Sequence, residues 1–160
     1  MNCNISSTNL NSQNYPFHYL SPKIKYTLMA LLELASHYEK KVPLAVREII
    51  SMQPIPERYL EHILLTLRCG GLVYSQRGPK GGFVLARNPE QITVREIITS
   101  LESESQHTEI FDAPTLERNL VYEICEQAEA TFMQVLDSYT LQDLYQKKQA
   151  REQQNPMYYI

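Results

Sequence analysis

The chain has 160 residues, of which 43% are hydrophobic, and its 18 acids against 15 lysines and arginines leave a formal net charge of -3. This length allows one domain, or one small domain with an accessory element, and the composition is that of a globular protein. The sequence has no apolar run of about 18 residues, and its first 20 residues lack the basic start and apolar core of a secretory signal. We therefore expect a cytoplasmic protein without a membrane span.

The first predicted helix begins at Ser21. Residues 1–20 are rich in Asn and Ser and show no periodicity, which predicts a disordered or loosely attached tail. Ser21 is a good N-cap, and Pro22 suits the first helical position. A helix over the segment that follows would carry its apolar residues on one face. They are Ile24, Leu28, Leu31, Leu32, Ala35 and Tyr38.

The next segment predicts two helices joined by a tight turn. The first covers residues 44–52, and Pro54 and Pro56 flank the turn, with Pro56 placed to open the second helix. Gly70 and Gly71 end the second helix, which has two distinct sides. Its apolar side is formed by Tyr59, Leu60, Ile63, Leu64 and Leu67, and its polar side by Glu57, Arg58, Glu61, His62 and Arg68.

A hairpin and a fourth helix complete this first module. Residues 72–75 and 83–85 predict two short strands, and Gly78-Pro79-Lys80-Gly81-Gly82 between them supplies turn chemistry. Thr93 then caps a fourth helix, with Glu96 in the position that completes a capping box. A helix-turn-helix followed by a basic hairpin is the layout of a winged DNA-binding module.

The domain organisation follows from these elements and from a long helix behind them. Residues 21–101 would form a winged helix-turn-helix domain, and the acidic residues 102–113 a connecting loop. The longest helical pattern, residues 114–139, has an apolar face too broad for a small winged module to cover, so a second copy is the simplest partner. The predicted fold is mainly α with a small β-hairpin wing, in which residues 114–146 form a dimerisation helix and a short closing helix and residues 147–160 a tail.

Charge is divided unequally between the two halves of the chain. Residues 21–89 carry ten lysines and arginines against five acids, a net charge of +5. Residues 90–160 carry five against thirteen, a net charge of -8. This asymmetry indicates a basic face that meets phosphates and an acidic half with another role.

The cysteines and acidic residues do not form a convincing metal site. Cys3, Cys69 and Cys125 are widely spaced and include no Cys-x-x-Cys pair, which fits reduced thiols. A redox role for Cys125 across a two-fold axis stays open. His107 and the acids around it could form a weak metal site, but a mobile acidic loop is the simpler interpretation.

Several blocks of sequence stand in the order and spacing of a known family. They are Lys25-Tyr26-Thr27-Leu28, Arg58-Tyr59-Leu60-Glu61, residues 67–73, residues 77–86 and residues 92–98, with Thr140-Leu141-Gln142-Asp143-Leu144 near the end. In these blocks the chain resembles the Rrf family of bacterial winged-helix regulators. The resemblance covers about half of the chain well and the long helix more loosely.

The resemblance implies a homodimer that binds double-stranded DNA as a transcription regulator. The helices over residues 114–139 would pair and hold two winged modules apart, with the third helix in the major groove and the wing in the minor groove. By position, Arg58, Tyr59, Glu61 and His62 would face the DNA, and Arg77 would be the wing residue. The other candidate DNA-binding residues are Lys25, Tyr26, Arg68 and Lys80.

The chemistry of these residues has a second, plainer interpretation. Arg58, Glu61 and His62 share a helix face, where arginine could contact guanine and glutamate could accept from a cytosine amino group. The same residues could form a solvated face with an intrahelical Arg58–Glu61 pair. Arg77 in a minor groove and Lys80 on a phosphate compete with a simple hairpin turn that exposes two bases. The helix-turn-helix and wing context favours DNA contact.

The chain departs from the family at residues 102–113. Members that bind an iron–sulfur cluster carry three closely spaced cysteines there, whereas this segment has none. Because thiolates normally hold such clusters, we expect neither a cluster of the usual kind nor another cofactor. No catalytic set of residues is recognisable, so an enzyme is not expected. The alternative to a DNA-binding repressor or activator is an interaction module of the same fold that controls a partner enzyme or needs a partner to bind DNA.

Overall fold

The computed structural model describes residues 21–102 and 115–154, and it is mainly helical with one two-stranded antiparallel hairpin within those ranges. The predicted fold class is confirmed. The predicted N-terminal tail, most of the acidic loop and the end of the C-terminal tail lie outside the described residues. The elements are α1 (Pro22–His37), α2 (Val46–Met52), α3 (Glu57–Cys69), β1 (Val73–Gln76), β2 (Gly82–Leu85), a 3-10 turn (Pro89–Gln91), α4 (Val94–Glu102), α5 (Leu116–Asp137) and α6 (Leu141–Gln154).

Helix α1 lies at the centre and packs against α3, β2 and α6. Its start is the predicted one, since the Ser21 Oγ accepts a hydrogen bond from the Ile24 N–H at 3.4 Å and Pro22 occupies the first turn. Leu31 and Leu34 are buried on its inner side. Thr27 is buried too, and its hydroxyl donates to the Lys23 carbonyl at 2.7 Å, which satisfies the polar group inside the core.

Helix α3 is held against this core along one side only. Its inner side chains, Leu60, Ile63, Leu64 and Leu67, are fully buried. Burying a side chain of this size contributes about 1.5–3 kcal/mol, so these residues fix the orientation of α3 strongly. Tyr59, which the sequence places on the same side, lies at the exposed edge instead. Thr66 is buried beside the inner side chains, and the rest of α3 faces outward.

The hairpin pairs Val73 with Leu85 and Gln76 with Gly82, and it is attached to the chain segment before α2. The Leu44 N–H donates to the Phe83 carbonyl at 3.0 Å, and the Phe83 N–H donates to the Leu44 carbonyl at 2.8 Å. These two bonds fix the wing relative to the helix-turn-helix. The sequence does not reveal this attachment.

The glycines of the wing serve two different needs. Gly78 has φ +116°, a conformation that side chains disfavour, so it makes the turn at the tip. Gly82 already belongs to β2, and a Cβ there would lie 2.4 Å from the Leu44 carbonyl. The sequence interpretation of Gly81-Gly82 as turn residues is therefore incomplete, because Gly82 is needed for close backbone approach.

Helix α5 packs on α4 only near its C-terminal end, through Phe132, Met133 and Leu136. The Val94 N–H donates to the Tyr139 carbonyl at 2.9 Å, and the Leu141 N–H donates to the Ile92 carbonyl at 2.8 Å. These bonds tie the junction between α5 and α6 to the start of α4. The first half of α5 projects from the winged domain.

Helix α6 is longer than the sequence predicts. Asp143 accepts from the Thr140 N–H at 2.8 Å and from the Thr140 hydroxyl at 2.7 Å, and these bonds hold the pKa of the Asp143 carboxyl below its usual value. The predicted tail from residue 147 is wrong for residues 147–154, which are helical. The segment is polar and weakly periodic, but its Gln, Lys, Ala, Arg and Glu residues are strong helix formers.

Candidate nucleic-acid interface

The outward side of α3 carries four of the nine predicted DNA-binding residues. An α-helix turns once in about 3.6 residues, so Arg58 and Leu65, seven positions apart, lie on one line, with Glu61 and His62 beside it. Arg68 follows in the last turn. We define the recognition face as Arg58, Glu61, His62, Leu65 and Arg68, all of which are exposed.

Within residues 21–102 and 115–154, the structure does not contain the intrahelical Arg58–Glu61 ion pair that the plainer interpretation of the recognition face considers. Both side chains therefore project from a helix whose opposite side is buried. A guanidinium and a carboxylate presented in this way match the donor and acceptor groups that base edges offer in a major groove.

Leu65 is a member of the recognition face that the sequence analysis missed. It is 47% exposed, although it is apolar and stands near the middle of the outward side. Its position relative to the buried residues was the available signal, because a helical projection separates it from Leu60, Leu64 and Leu67. An apolar side chain here is suited to contact a thymine methyl group.

Two tyrosines join α1 to α3 beside the recognition face. The rings of Tyr26 and Tyr59 meet edge to face, with centroids 5.6 Å apart and an interplanar angle of 79°. Such a pair contributes about 0.5–1.5 kcal/mol beyond the area it buries. Both residues were predicted to touch DNA, and the structure places them in contact with each other at the α1–α3 junction.

The two lysines at the start of α1 have different surroundings. The Lys23 ammonium donates to the Leu101 carbonyl at 3.4 Å, so it contacts the end of α4. Lys25 is exposed in the first turn of α1. Lys25, a predicted DNA-binding residue, is thus better placed than Lys23 to reach a phosphate.

The wing carries its two predicted residues in the open. Arg77 and Lys80 are exposed at the tip on either side of Gly78 and Pro79. Lys80 also lines an open hollow between the tip and the segment before α2, and Lys41 lines the same hollow. Lys41, whose backbone has φ +50°, adds a basic group that the sequence analysis did not assign to the site.

The described cysteines are separate and exposed. Cys69 ends α3, and Cys125 lies in α5. Residues 21–102 and 115–154 contain no group of three or more His, Cys, Asp or Glu side chains arranged to hold a metal ion. Over the same ranges, no helix combines the length and apolar character needed to cross a membrane. Cys3 and His107 lie outside the described residues.

Comparison with known proteins identifies the family. The sequence model of the Rrf2 family, described as "Iron-dependent Transcriptional regulator", matches residues 20–147. The HTH-type transcriptional regulator CymR of Bacillus subtilis (strain 168) is 35% identical over 142 residues, which is 88% of this chain and 99% of that protein.

Solved structures agree with this result. The structure of T. potens IscR has a TM-score of 0.68 and 34% identity, and the match covers 81% of this chain and 87% of the other. The structure of CymR (YrzC), the global cysteine regulator of B. subtilis, has a TM-score of 0.64 and 33% identity, covering 80% and 96%. The relatives are transcriptional regulators and not enzymes, which confirms the prediction on catalysis. The chain belongs to the Rrf2 family of transcriptional regulators.

Proposed function

We propose that the protein is a homodimeric, sequence-specific DNA-binding transcription regulator that acts in the cytoplasm, with α3 in the major groove and the wing in the minor groove. The observation that carries this proposal is the recognition face, whose five exposed residues stand opposite four fully buried ones. An α-helix with its side chains is about 10–12 Å across, which the major groove, about 12 Å wide, can admit, and the 13 residues of α3 are about 20 Å long.

The wing supports the same geometry. Arg77 at an exposed tip is suited to the narrow minor groove, where the potential is most negative. Lys80 and Lys41 face one hollow beside the tip, where they would contact the phosphate backbone. The attachment of the wing to Leu44 would hold these contacts in register with α3.

A second copy of the chain is the partner that α5 requires. Leu116, Val121 and Ile124 are 72%, 60% and 69% exposed, and they follow one another along the projecting part of α5. Contiguous apolar surface of this kind marks an interface. Because the two copies of α3 in a two-fold dimer are related by symmetry, an operator bound by both would be close to palindromic.

An iron–sulfur cluster held in the usual way does not fit this chain. Residues 102–113 contain no cysteine, and Cys69 and Cys125 lie on α3 and α5. We therefore propose regulation without a cluster at that segment. In this respect the proposal differs from the description of the family, which names iron dependence.

A binding experiment across a salt series tests the proposal. The pure protein is titrated against the DNA upstream of its own gene and against random DNA of equal length. We expect preferential binding to the upstream DNA that persists at moderate salt, together with a steep decrease of affinity with salt from phosphate contacts. Equally weak binding to both DNAs would instead support the interaction-module alternative.

Base reading by the recognition face is tested with Arg58→Ala and Glu61→Ala. Each change is expected to cost about 1–3 kcal/mol of binding free energy at the operator, with less loss on random DNA, because each removes a base contact. Arg151→Ala, which removes an exposed charge from α6, is the control and should leave the affinity unchanged. Equal losses on both DNAs would exclude a base-reading role.

The wing is tested with Arg77→Ala and Lys80→Ala. Removing Lys80 should weaken binding to every sequence alike and lower the salt slope of the dimer by about 2, since one phosphate contact disappears from each subunit. Removing Arg77 should cost more binding free energy on an operator with a narrow minor groove than on one with a wider groove. The measurement is fluorescence anisotropy at several salt concentrations. If Arg77→Ala changes neither affinity nor slope, the wing arginine does not enter the groove.

The Leu65 contact is tested by replacing each operator thymine in turn with deoxyuridine, which lacks the 5-methyl group. Binding should weaken about fourfold for each contacted methyl, the worth of one buried methyl-sized group. With Leu65→Ala the same replacement should have no effect, because the partner of the methyl is gone. Equal deoxyuridine effects in both proteins would mean that Leu65 makes no such contact.

A further inference from the structure

A buried carboxylate in α1 lies between the helix-turn-helix and the closing helix. Glu33 is only 4% exposed. Its Oε1 accepts hydrogen bonds from the Gln53 Nε2 at 2.7 Å and from the Lys148 Nζ at 3.0 Å. The Lys148 Nζ also lies 3.9 Å from the Glu152 Oε1. We call Glu33, Gln53 and Lys148 the Glu33 clasp.

The first partner belongs to the turn that leads into α3. Gln53 follows α2 directly, and its carbonyl accepts a hydrogen bond from the Ile55 N–H at 2.8 Å. Ile55 is buried in the core. Two side chains therefore anchor the turn from inside, Ile55 by apolar packing and Gln53 through Glu33. The position of this turn sets where α3 begins.

The second partner comes from the opposite end of the chain. Lys148 is 115 positions from Glu33, and it lies in the part of α6 that follows the predicted end of the closing helix. A buried carboxylate without a cation is strongly unfavourable, so Lys148 supplies the charge that allows Glu33 to hold Gln53. Helix α6 continues from α5, which carries the exposed apolar face.

We infer that Glu33 and Lys148 are positioning residues for DNA reading, through which docked α6 holds the turn, and with it the start of α3, in the placement that reads bases. This inference rests on the proposed function. The four buried side chains of α3 pack that helix against the core, and none of them belongs to the clasp. The contribution of the clasp is to fix the position of the N-terminal end of α3, where Arg58 and Glu61 lie.

Base contacts and phosphate contacts differ in how much displacement they tolerate. A bidentate or edge contact requires its groups within about 0.5 Å and 10–20° of the productive geometry. Exposed lysines on flexible side chains, such as Lys25 and Lys80, reach phosphates over a wider range. Loss of the clasp should therefore lower specific affinity while binding to random DNA changes little.

The test compares four variants of the full chain with wild type: Gln53→Ala, Glu33→Gln, Lys148→Met and Lys148→Arg. Each variant is assayed at 10 °C after circular dichroism has been used to check that it is folded. Affinities are corrected for the fraction of active protein, which is measured by stoichiometric titration. The readout is the ratio of operator affinity to random-DNA affinity. Arg151→Met is the matched control, since it removes an exposed cation from the same helix.

We expect the ratio to fall about tenfold in Gln53→Ala, Glu33→Gln and Lys148→Met, the loss of about one base contact. Lys148→Arg and Arg151→Met should keep the wild-type ratio. If Lys148→Met does not fold, Glu33→Gln still tests both contacts of the carboxylate, and Gln53→Ala tests its link to the turn with the Glu33–Lys148 ion pair intact.

A lower melting temperature with an unchanged ratio would make the clasp a structural feature only and would overturn the inference. Wild-type protein that binds both DNAs equally would overturn the proposed function, and this inference with it. Wild-type specificity that survives in all clasp variants would overturn the inference alone.

Discussion

Replacing Ile124 with Glu is expected to convert the proposed homodimer to a monomer and to lower operator affinity about 100-fold or more. Ile124 is 69% exposed in the middle of the projecting part of α5, so the change inserts a charge into the apolar face without disturbing the core of one chain. Two linked binding modules gain about this factor over one, because the second engages without a new encounter. Loss of the interface removes that gain.

Sedimentation velocity and operator titration measure the two effects together. Asn119→Glu is the control, because it adds the same charge to an exposed position on another side of α5. It should leave both the dimer and the affinity intact. An Ile124→Glu protein that stays dimeric would show that another surface pairs the chains. A monomer that binds the operator as tightly as wild type would show that DNA binding does not require two paired chains.

Replacing Gly82 with Ala is expected to detach the wing from the helix-turn-helix. The new Cβ would lie 2.4 Å from the backbone carbonyl group of Leu44 and 2.8 Å from the Ala45 nitrogen, so backbone must move. Overpacking of this kind costs about 1–3 kcal/mol of folding free energy. The two hydrogen bonds between Leu44 and Phe83 would weaken as well. Operator affinity should then fall at least as far as in Arg77→Ala, because the whole wing shifts.

Urea unfolding and operator titration test this expectation, with Gly70→Ala as the control. A Cβ at Gly70 would meet only the Ser100 Cβ at 3.3 Å and backbone atoms beyond that, and the residue has a right-handed helical backbone. The control should change stability far less than Gly82→Ala. A Gly82→Ala protein with wild-type stability and wild-type affinity would mean that the contact with Leu44 does not position the wing.

Local chemistry accounts for the parts of the fold that could be predicted. The caps at Ser21 and Thr93 are observed as hydrogen bonds to the Ile24 and Glu96 N–H groups. Such a bond spans three residues, so the residues that decide it stand together in the sequence. The two sides of α3 were predictable for the same reason, since helical spacing alone separates its buried leucines from Arg58.

The length of α6 shows where helical periodicity stops being informative. In α6 the polar sequence after residue 147 gives little periodic signal, yet Lys148 is held by a carboxylate of α1. That outcome depends on what lies opposite the helix, which spacing along the chain does not describe. Leu65 differs, because it is apolar but exposed and its place on the helical projection, away from the buried leucines, was a signal that the sequence already carried.

The helix caps at Ser21 and Thr93, the turn at Gly78 and the charge of each half are therefore properties of neighbouring residues, and the amino-acid order is enough to specify them. The attachment of Gly82 and Phe83 to Leu44 and the Glu33 clasp are properties of residues far apart in the chain. Distant segments meet because the buried side chains of α1 and α3 pack into a shared core. The hydrogen bonds and ion pairs that form once those segments lie side by side have no periodic or compositional signature. The placement of the wing and of α3, on which the proposed DNA reading depends, is consequently a result of packing.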